Sequence, residues 1–318
     1  MPSLKEIKGR IGSVQSTLKI TSAMKLVASA KLRKAQQTIE GMRPYERKLQ
    51  EMLEHLVASG AKMGGEYTRV ARTEDEEGRP LRQRVALVAF ASNSSLCGAF
   101  NANAVRLALE TVRSYGDADI TVHSVGRKMA DAMKKTGFPS PENYTKLADK
   151  PSYAPAAELA EKLMEDFREG RLDRIDLVYN HFVSSGKQVA VRETLLPMEI
   201  SPLASLGRND NSTVISSDSS VISSEAGGGV EKSDLDYILE PSASELLEDL
   251  LPKSLRLKFY TALLDSNASE HAARTVAMQT ATDNGEDLLQ ELTLQYNKSR
   301  QQKITSEILD LAGGSQEK

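Results

Sequence analysis

Apolar residues at Leu4, Ile7, Ile11, Val14 and Leu18 alternate in three- and four-residue steps, the seam of a coiled-coil helix. The stripe continues through Met24, Val27, Ala28, Leu32, Ala35, Ile39 and Met42. Ser3 followed by Glu6 reads as a capping box at its start. Gly9 and Gly12 each cost a helix about 1 kcal/mol against Ala, and their missing side chains offer a second helix a close approach. Gly41 with Pro44 predicts a break or bend. A helical face resumes at Leu49, Met52, Leu53, Leu56 and Val57, and ends at Gly60.

The far end of the chain repeats the pattern. Ser242 with Glu245 predicts a capped short helix through Leu251, and Pro252 suits the first turn of a longer one. Its stripe runs through Leu255, Phe259, Leu263, Ala268, Ala272, Met278, Leu289, Leu292, Tyr296, Ile304, Ile308 and Leu311, and Gly313-Gly314 predicts the stop. From Pro252 to Leu311 this helix would be roughly 90 Å long at 1.5 Å per residue. A helix of that length needs a partner, and the other terminus is the candidate. The small residues between Ala268 and Ala281 suit a thin, closely packed pair.

Between these ends the period changes. Val85 to Phe90 is a continuous apolar run, as for a strand buried on both faces. Further strands are predicted at Ile120 to Val125, Ile175 to Val183 and Gln188 to Leu195, the last two antiparallel across Ser184-Ser185-Gly186. Helices are predicted at Asn101 to Tyr115, Arg127 to Lys135 and Pro155 to Glu169. Such alternation implies a parallel-rich α/β sheet. The predicted architecture is a long antiparallel coiled coil of the N- and C-terminal helices carrying a central α/β, Rossmann-like domain. Its divisions are a helix over 1–60, a linker over 61–82, the α/β domain over 83–200, a flexible Ser/Gly-rich insertion over 201–240, and a second helix over 241–318.

Charge sharpens this picture. The whole chain carries only -3, which points to no polyanionic partner. Residues 1–48, however, hold eleven Lys or Arg against three acids, whereas residues 270–318 hold five against eight. The opposite signs favour approach of the two ends, although exposed pairs are each worth little. Lys19, Lys25, Lys31, Arg33 and Lys34 surround the small residues Ser22, Ala23, Ala28, Ser29 and Ala30. An acidic protein partner explains this surface as well as a nucleic acid does, and no aromatic interleaves it. No apolar run approaches the roughly 20 residues of a membrane helix, and no signal peptide is expected.

Candidate chemistry is sparse. The single cysteine, Cys97, excludes an intrachain disulfide and a cysteine-based zinc site. His55, His123, His181 and His271 are scattered, so no metal site is expected. The sheet-end loop Ala91 to Phe100 lacks both the dinucleotide-binding glycine pattern and the phosphate-loop pattern. No catalytic residue, cofactor or metal is therefore predicted. The residues alone leave a nucleic-acid-binding rod, an α/β enzyme with coiled-coil flanks and a scaffold such as a stator beside a rotor.

Three longer motifs carry a family resemblance. They are Arg10 to Gln36 (RIGSVQSTLKITSAMKLVASAKLRKAQ), Leu96 to Asn101 (LCGAFN), and Ala273 to Gly285 (ARTVAMQTATDNG) with Tyr296 to Glu307 (YNKSRQQKITSE). Together they resemble the gamma subunits of F-type ATP synthases over nearly the whole chain, apart from extra length near 210–230. The resemblance implies a central rotor shaft without catalysis of its own, coupling rotation of a membrane c ring to conformational cycling of catalytic beta subunits. It implies alpha and beta subunits in an α3β3 hexamer, the epsilon subunit and the c ring as partners, with no nucleic acid and no small-molecule substrate. The implied location is the bacterial inner membrane, peripheral on its cytoplasmic side. Met24 and Lys25 match the turn facing the beta levers, and Gln279, Thr282 and Asp283 the corresponding part of the C-terminal helix. Arg43, Pro44 and Tyr45 match a foot loop near the c ring. Asn93, Ser94 and Ser95 depart from the family, where an Asp, a basic residue and Gly are usual, so a salt bridge is not expected there.

Overall fold

The computed structural model describes residues 3–58, 67–69, 82–198, 240 and 242–314. Most of the expected linker over 61–82 and of the insertion over 201–240 therefore lies outside the described residues. The two terminal helices are α1, Leu4–Ala58, of 55 residues, and α6, Ala243–Gly314, of 72 residues. At 1.5 Å per residue they are about 80 and 110 Å long. Ser3 and Ser242 cap them, each hydroxyl accepting from the backbone N–H three residues on, at 3.3 and 3.2 Å.

Neither helix is interrupted where a break was expected. Pro44 lies inside α1 and Pro252 inside α6, so the predicted short helix ending at Leu251 is part of one element. Each proline removes a single backbone donor. Packing on either side holds the chain helical: Ile39 and Leu49 are buried around Pro44, and Leu251 and Leu255 around Pro252.

The helices run antiparallel. Thr282 Oγ1 lies 3.1 Å from Thr21 Oγ1, and Gly285 lies against Leu18. Fourteen residues before Leu18 and fourteen after Gly285, Leu4 comes level with Ser299. The last turns of α6 thus project past the start of α1, and residues 301–309 are exposed throughout. Gly9 and Gly12 do not mediate the close approach, since a Cβ on either would meet nothing within 4 Å.

The middle of the chain forms a four-stranded sheet in the order β2-β1-β3-β4. The strands are β1, Arg84–Phe90; β2, Asp119–Val125; β3, Arg174–Ser184; and β4, Lys187–Leu196. β1 pairs in parallel with β2 and β3, and β4 closes the edge antiparallel to β3. Successive side chains on β1 point to opposite faces. Leu87 and Ala89 meet α2, Phe100–Ser114, and α3, Arg127–Lys135, through Ala104, Ala108, Met129 and Met133. Ala86, Val88 and Phe90 meet α5, Tyr153–Arg168, and the lower half of α6, through Leu159, Leu163, Phe167, Phe259 and Leu263. A covered surface on both sides explains the unbroken apolar run of β1. The short α4, Thr145–Asp149, was not anticipated; five residues carry too little periodicity to be legible.

Candidate functional site

In a sheet of this kind the ligand crevice lies beyond the carboxyl ends of the strands where the connections diverge, here between β1 and β3. That place is filled by α6. Ser269 Oγ donates to the Asn180 carbonyl at 2.9 Å, and Phe90 and Phe259 meet edge to face with ring centroids 5.7 Å apart. His181 Nδ1 lies 2.6 Å from Asp265 Oδ2. From Ala262 to Ala272 nearly every residue of α6 is buried, the signature of a helix enclosed on all sides. This stretch of α6 is thus a structural layer of the α/β body.

The loop after β1 closes over α6. Arg274 Nη2 donates to Ser94 Oγ at 2.8 Å, while Arg274 Nη1 pairs with Glu270 at 2.7 Å. The loop thus meets Arg274 through the Ser94 hydroxyl and not through an ion pair. Ser92 N donates to Asn101 Oδ1 at 3.0 Å, and Asn93 Nδ2 donates to the Thr145 carbonyl at 2.7 Å. Gly126 has a φ of 104°, and a Cβ there would sit 2.0 Å from the Ala91 carbonyl oxygen. Only glycine admits this approach of the loop to α3. Cys97 is buried, and Asn101 Nδ2 lies 3.1 Å from its sulfur. It fills space in the loop.

Above the loop, α1, α6 and Ser94 enclose an open cleft of about 320 Å³. Ala23, Met24, Val27 and Ala28 form its apolar wall, and Lys31, His271 and Arg274 its polar side, charged at Lys31 and Arg274. Burial, reinforced by the Arg274 and Lys31 charges, lowers the His271 pKa to about 4. Burial raises the Glu270 pKa against the opposing pull of Arg274.

The residues singled out from the sequence fall into two groups. Met24 lines the cleft, Lys25 beside it is half-buried, and the antiparallel register sets Met24 level with Gln279. Gln279 Nε2 donates to Asp283 Oδ1 at 2.5 Å, and Thr282 bonds across to Thr21. Arg43, Pro44 and Tyr45 lie roughly 30 Å away along the helix. They are exposed and sit within α1, not in a loop as expected. The sequence reading missed Ser94 as a hydrogen-bond partner of α6, together with Glu270 and the His181–Asp265 pair. A polar pair on a buried helical stretch, Glu270 with Arg274 one turn on, was the available signal.

Among the described residues no group of three or more His, Cys, Asp or Glu side chains could hold a metal ion, and no helix is long and apolar enough to cross a membrane.

The family model described as ATP synthase matches residues 3–316. The chain is 52% identical over 318 residues to an ATP synthase gamma chain of Bacteroides fragilis, covering 99% of each. It is 40% identical over 317 residues to that of Flavobacterium johnsoniae, again covering 99% of each. Among solved structures it resembles a chain of the rotor of the Euglena gracilis mitochondrial ATP synthase, with a TM-score of 0.57 at 21% identity, covering 95% of this chain and 98% of that one. A chain of the central stalk and c ring of the Tetrahymena thermophila mitochondrial enzyme matches with a TM-score of 0.51 at 21% identity, covering 82% of this chain and 99% of that one. These two likenesses bear on the fold.

Proposed function

The chain belongs to the ATP synthase gamma chain family, and on that premise we propose how its surfaces meet the subunits around it. It is the central rotor shaft of an F-type ATP synthase, a non-catalytic subunit associated with the F1 sector and the c ring. The observation that carries the mechanical reading is the antiparallel pair of α1 and α6, whose upper part rises clear of the α/β body while the lower part of α6 is built into it.

In this reading the upper coil stands inside a hexamer of three alpha and three beta subunits. Met24 and Lys25, with Gln279, Thr282 and Asp283 at the same level, face the beta levers. The apolar wall of the cleft and the basic residues beside it suit a lever that presents both a carboxylate and an apolar side chain. Torque then passes by steric and charge contact, since a stiff asymmetric rod offers each beta subunit a different surface at each angle. Arg43, Pro44 and Tyr45 face the c ring, and the α/β body lies beside epsilon. The complex sits at the bacterial inner membrane, with this chain peripheral on the cytoplasmic side.

Purification of the intact complex through a tag on this chain tests the arrangement. The expected composition is one copy of this chain with three copies each of two larger nucleotide-binding subunits. Two or more copies of this chain per complex would overturn it.

A further inference from the structure

A shaft delivers torque only where something grips it. Resting on the rotor-shaft reading, we propose that the loop of residues 92–98 is a collar fixing the point where the free shaft begins, with the Ser94–Arg274 hydrogen bond as its pin.

The links between the body and α6 form a ladder along the helix. Arg256 pairs with Glu161 at 2.6 Å, Lys258 with Glu193 at 3.0 Å, and His181 with Asp265 at 2.6 Å. Ser269 then bonds the Asn180 carbonyl, and Arg274 bonds Ser94. Ser94 and the nearby Gly98, whose Cβ position lies 3.9 Å from Ala277 Cβ, sit at the top of this ladder. Beyond them burial on α6 thins to isolated positions such as Met278 and Leu292.

The pin is held firmly at both ends. On the body side, Asn101 Nδ2 donates to the Ser94 carbonyl at 3.2 Å, and Arg127 N donates to Asn93 Oδ1 at 2.9 Å. On the shaft side the Arg274 side chain is only 10% exposed and is fixed by Glu270. A guanidinium so placed has little freedom to follow a moving loop, so the contact resists twist.

Torsional compliance of a uniform rod grows with its free length. Beyond Arg274 the helix extends about 60 Å to Gly314, and loss of the pin moves the uppermost polar anchor down to Ser269, about 8 Å lower. Compliance then rises by about an eighth.

Ser94→Ala removes only the acceptor, and Ser94 is exposed, so no core is disturbed. Ser94→Thr keeps the hydroxyl. Each full-length variant is assembled into the complex, the hexamer is fixed to a surface, and a probe is attached to the body through Arg106→Cys. The angular spread of the probe within a catalytic pause reads neck compliance. A spread in Ser94→Ala about an eighth larger in variance, with Ser94→Thr at the parental value, supports the collar. An unchanged spread in Ser94→Ala overturns it, as does an equal increase in both variants. A parental complex whose probe never rotates removes the shaft reading itself, and the collar with it.

Discussion

Leu18 of α1 occupies the space left by Gly285 of α6. A Cβ built on Gly285 would lie 2.7 Å from Leu18 Cδ2 and 3.3 Å from its Cγ. The close point of the coil is therefore a knob on one helix seated at a glycine on the other. Two effects oppose each other on Gly285→Ala. Helix propensity gains about 1 kcal/mol, and overpacking against Leu18 costs about 1–3 kcal/mol. The single variant is expected to be neutral to destabilising by about 2 kcal/mol. In a Leu18→Ala background the clash is gone, and the same change stabilises by about 1 kcal/mol. A denaturant double-mutant cycle reads this directly. Equal effects in both backgrounds would mean that the two residues do not meet.

Asp176 is fully buried between two arginines, with Arg174 Nε at 3.0 Å and Arg192 Nε at 2.7 Å. Tyr115 donates its hydroxyl to the same carboxylate, and burial together with that negative charge pushes the Tyr115 pKa up to about 12. This cluster ties β3, β4 and the end of α2 together. Asp176→Ala removes the fully buried carboxylate that both guanidiniums and the Tyr115 hydroxyl share, and is expected to cost about 3–5 kcal/mol by chemical denaturation. A loss under about 1 kcal/mol, the scale of an exposed pair, would show that the cluster is not a structural tie.

His123 and His271 are buried, and burial is the main cause that lowers both pKa values to about 4. Between about pH 6.5 and 4 the unfolded chain binds protons there that the folded chain does not. Stability supplied by the neutral rings is therefore present above pH 6.5 and falls as pH drops towards 4. Glu270 acts in the opposite direction, because its raised pKa lets the folded chain take up a proton first. Thermal unfolding followed from pH 7 to pH 4 should show a steeper decline for the parent than for His123→Gln/His271→Gln. Parallel curves would contradict the buried-neutral assignment.

Lys25 sits on the side of α1 proposed to meet acidic levers. Lys25→Glu reverses that charge at a half-buried surface position. Assembly is expected to stay intact while ATP synthesis slows, read as synthesis rate per assembled complex in inverted vesicles. Normal coupled rates would rule out a charge contact at Lys25.

Much of this architecture was legible because its periods are long and unmixed. The seam from Leu4 to Leu18 and the apolar run of β1 each encode one environment over several residues. The misread positions share a different property: tertiary contacts overrode the local signal. Pro44 and Pro252 read as boundaries, yet buried neighbours carry the helix through both. Gly9 and Gly12 read as points of close helix approach, whereas the contact that needs a missing side chain is at Gly285. The Ser94–Arg274 contact joins residues 180 positions apart. No spacing rule brings such a pair together; only the path of α6 across the sheet does.

As the rotor of the complex, this chain turns as a single shaft inside the hexamer. The direct measurement fixes the hexamer, attaches a probe to the α/β body of this chain, and records its angle on addition of ATP. Continued rotation in one direction with three pauses per turn is the expected result. A complex that hydrolyses ATP while the probe stays at one angle would contradict it.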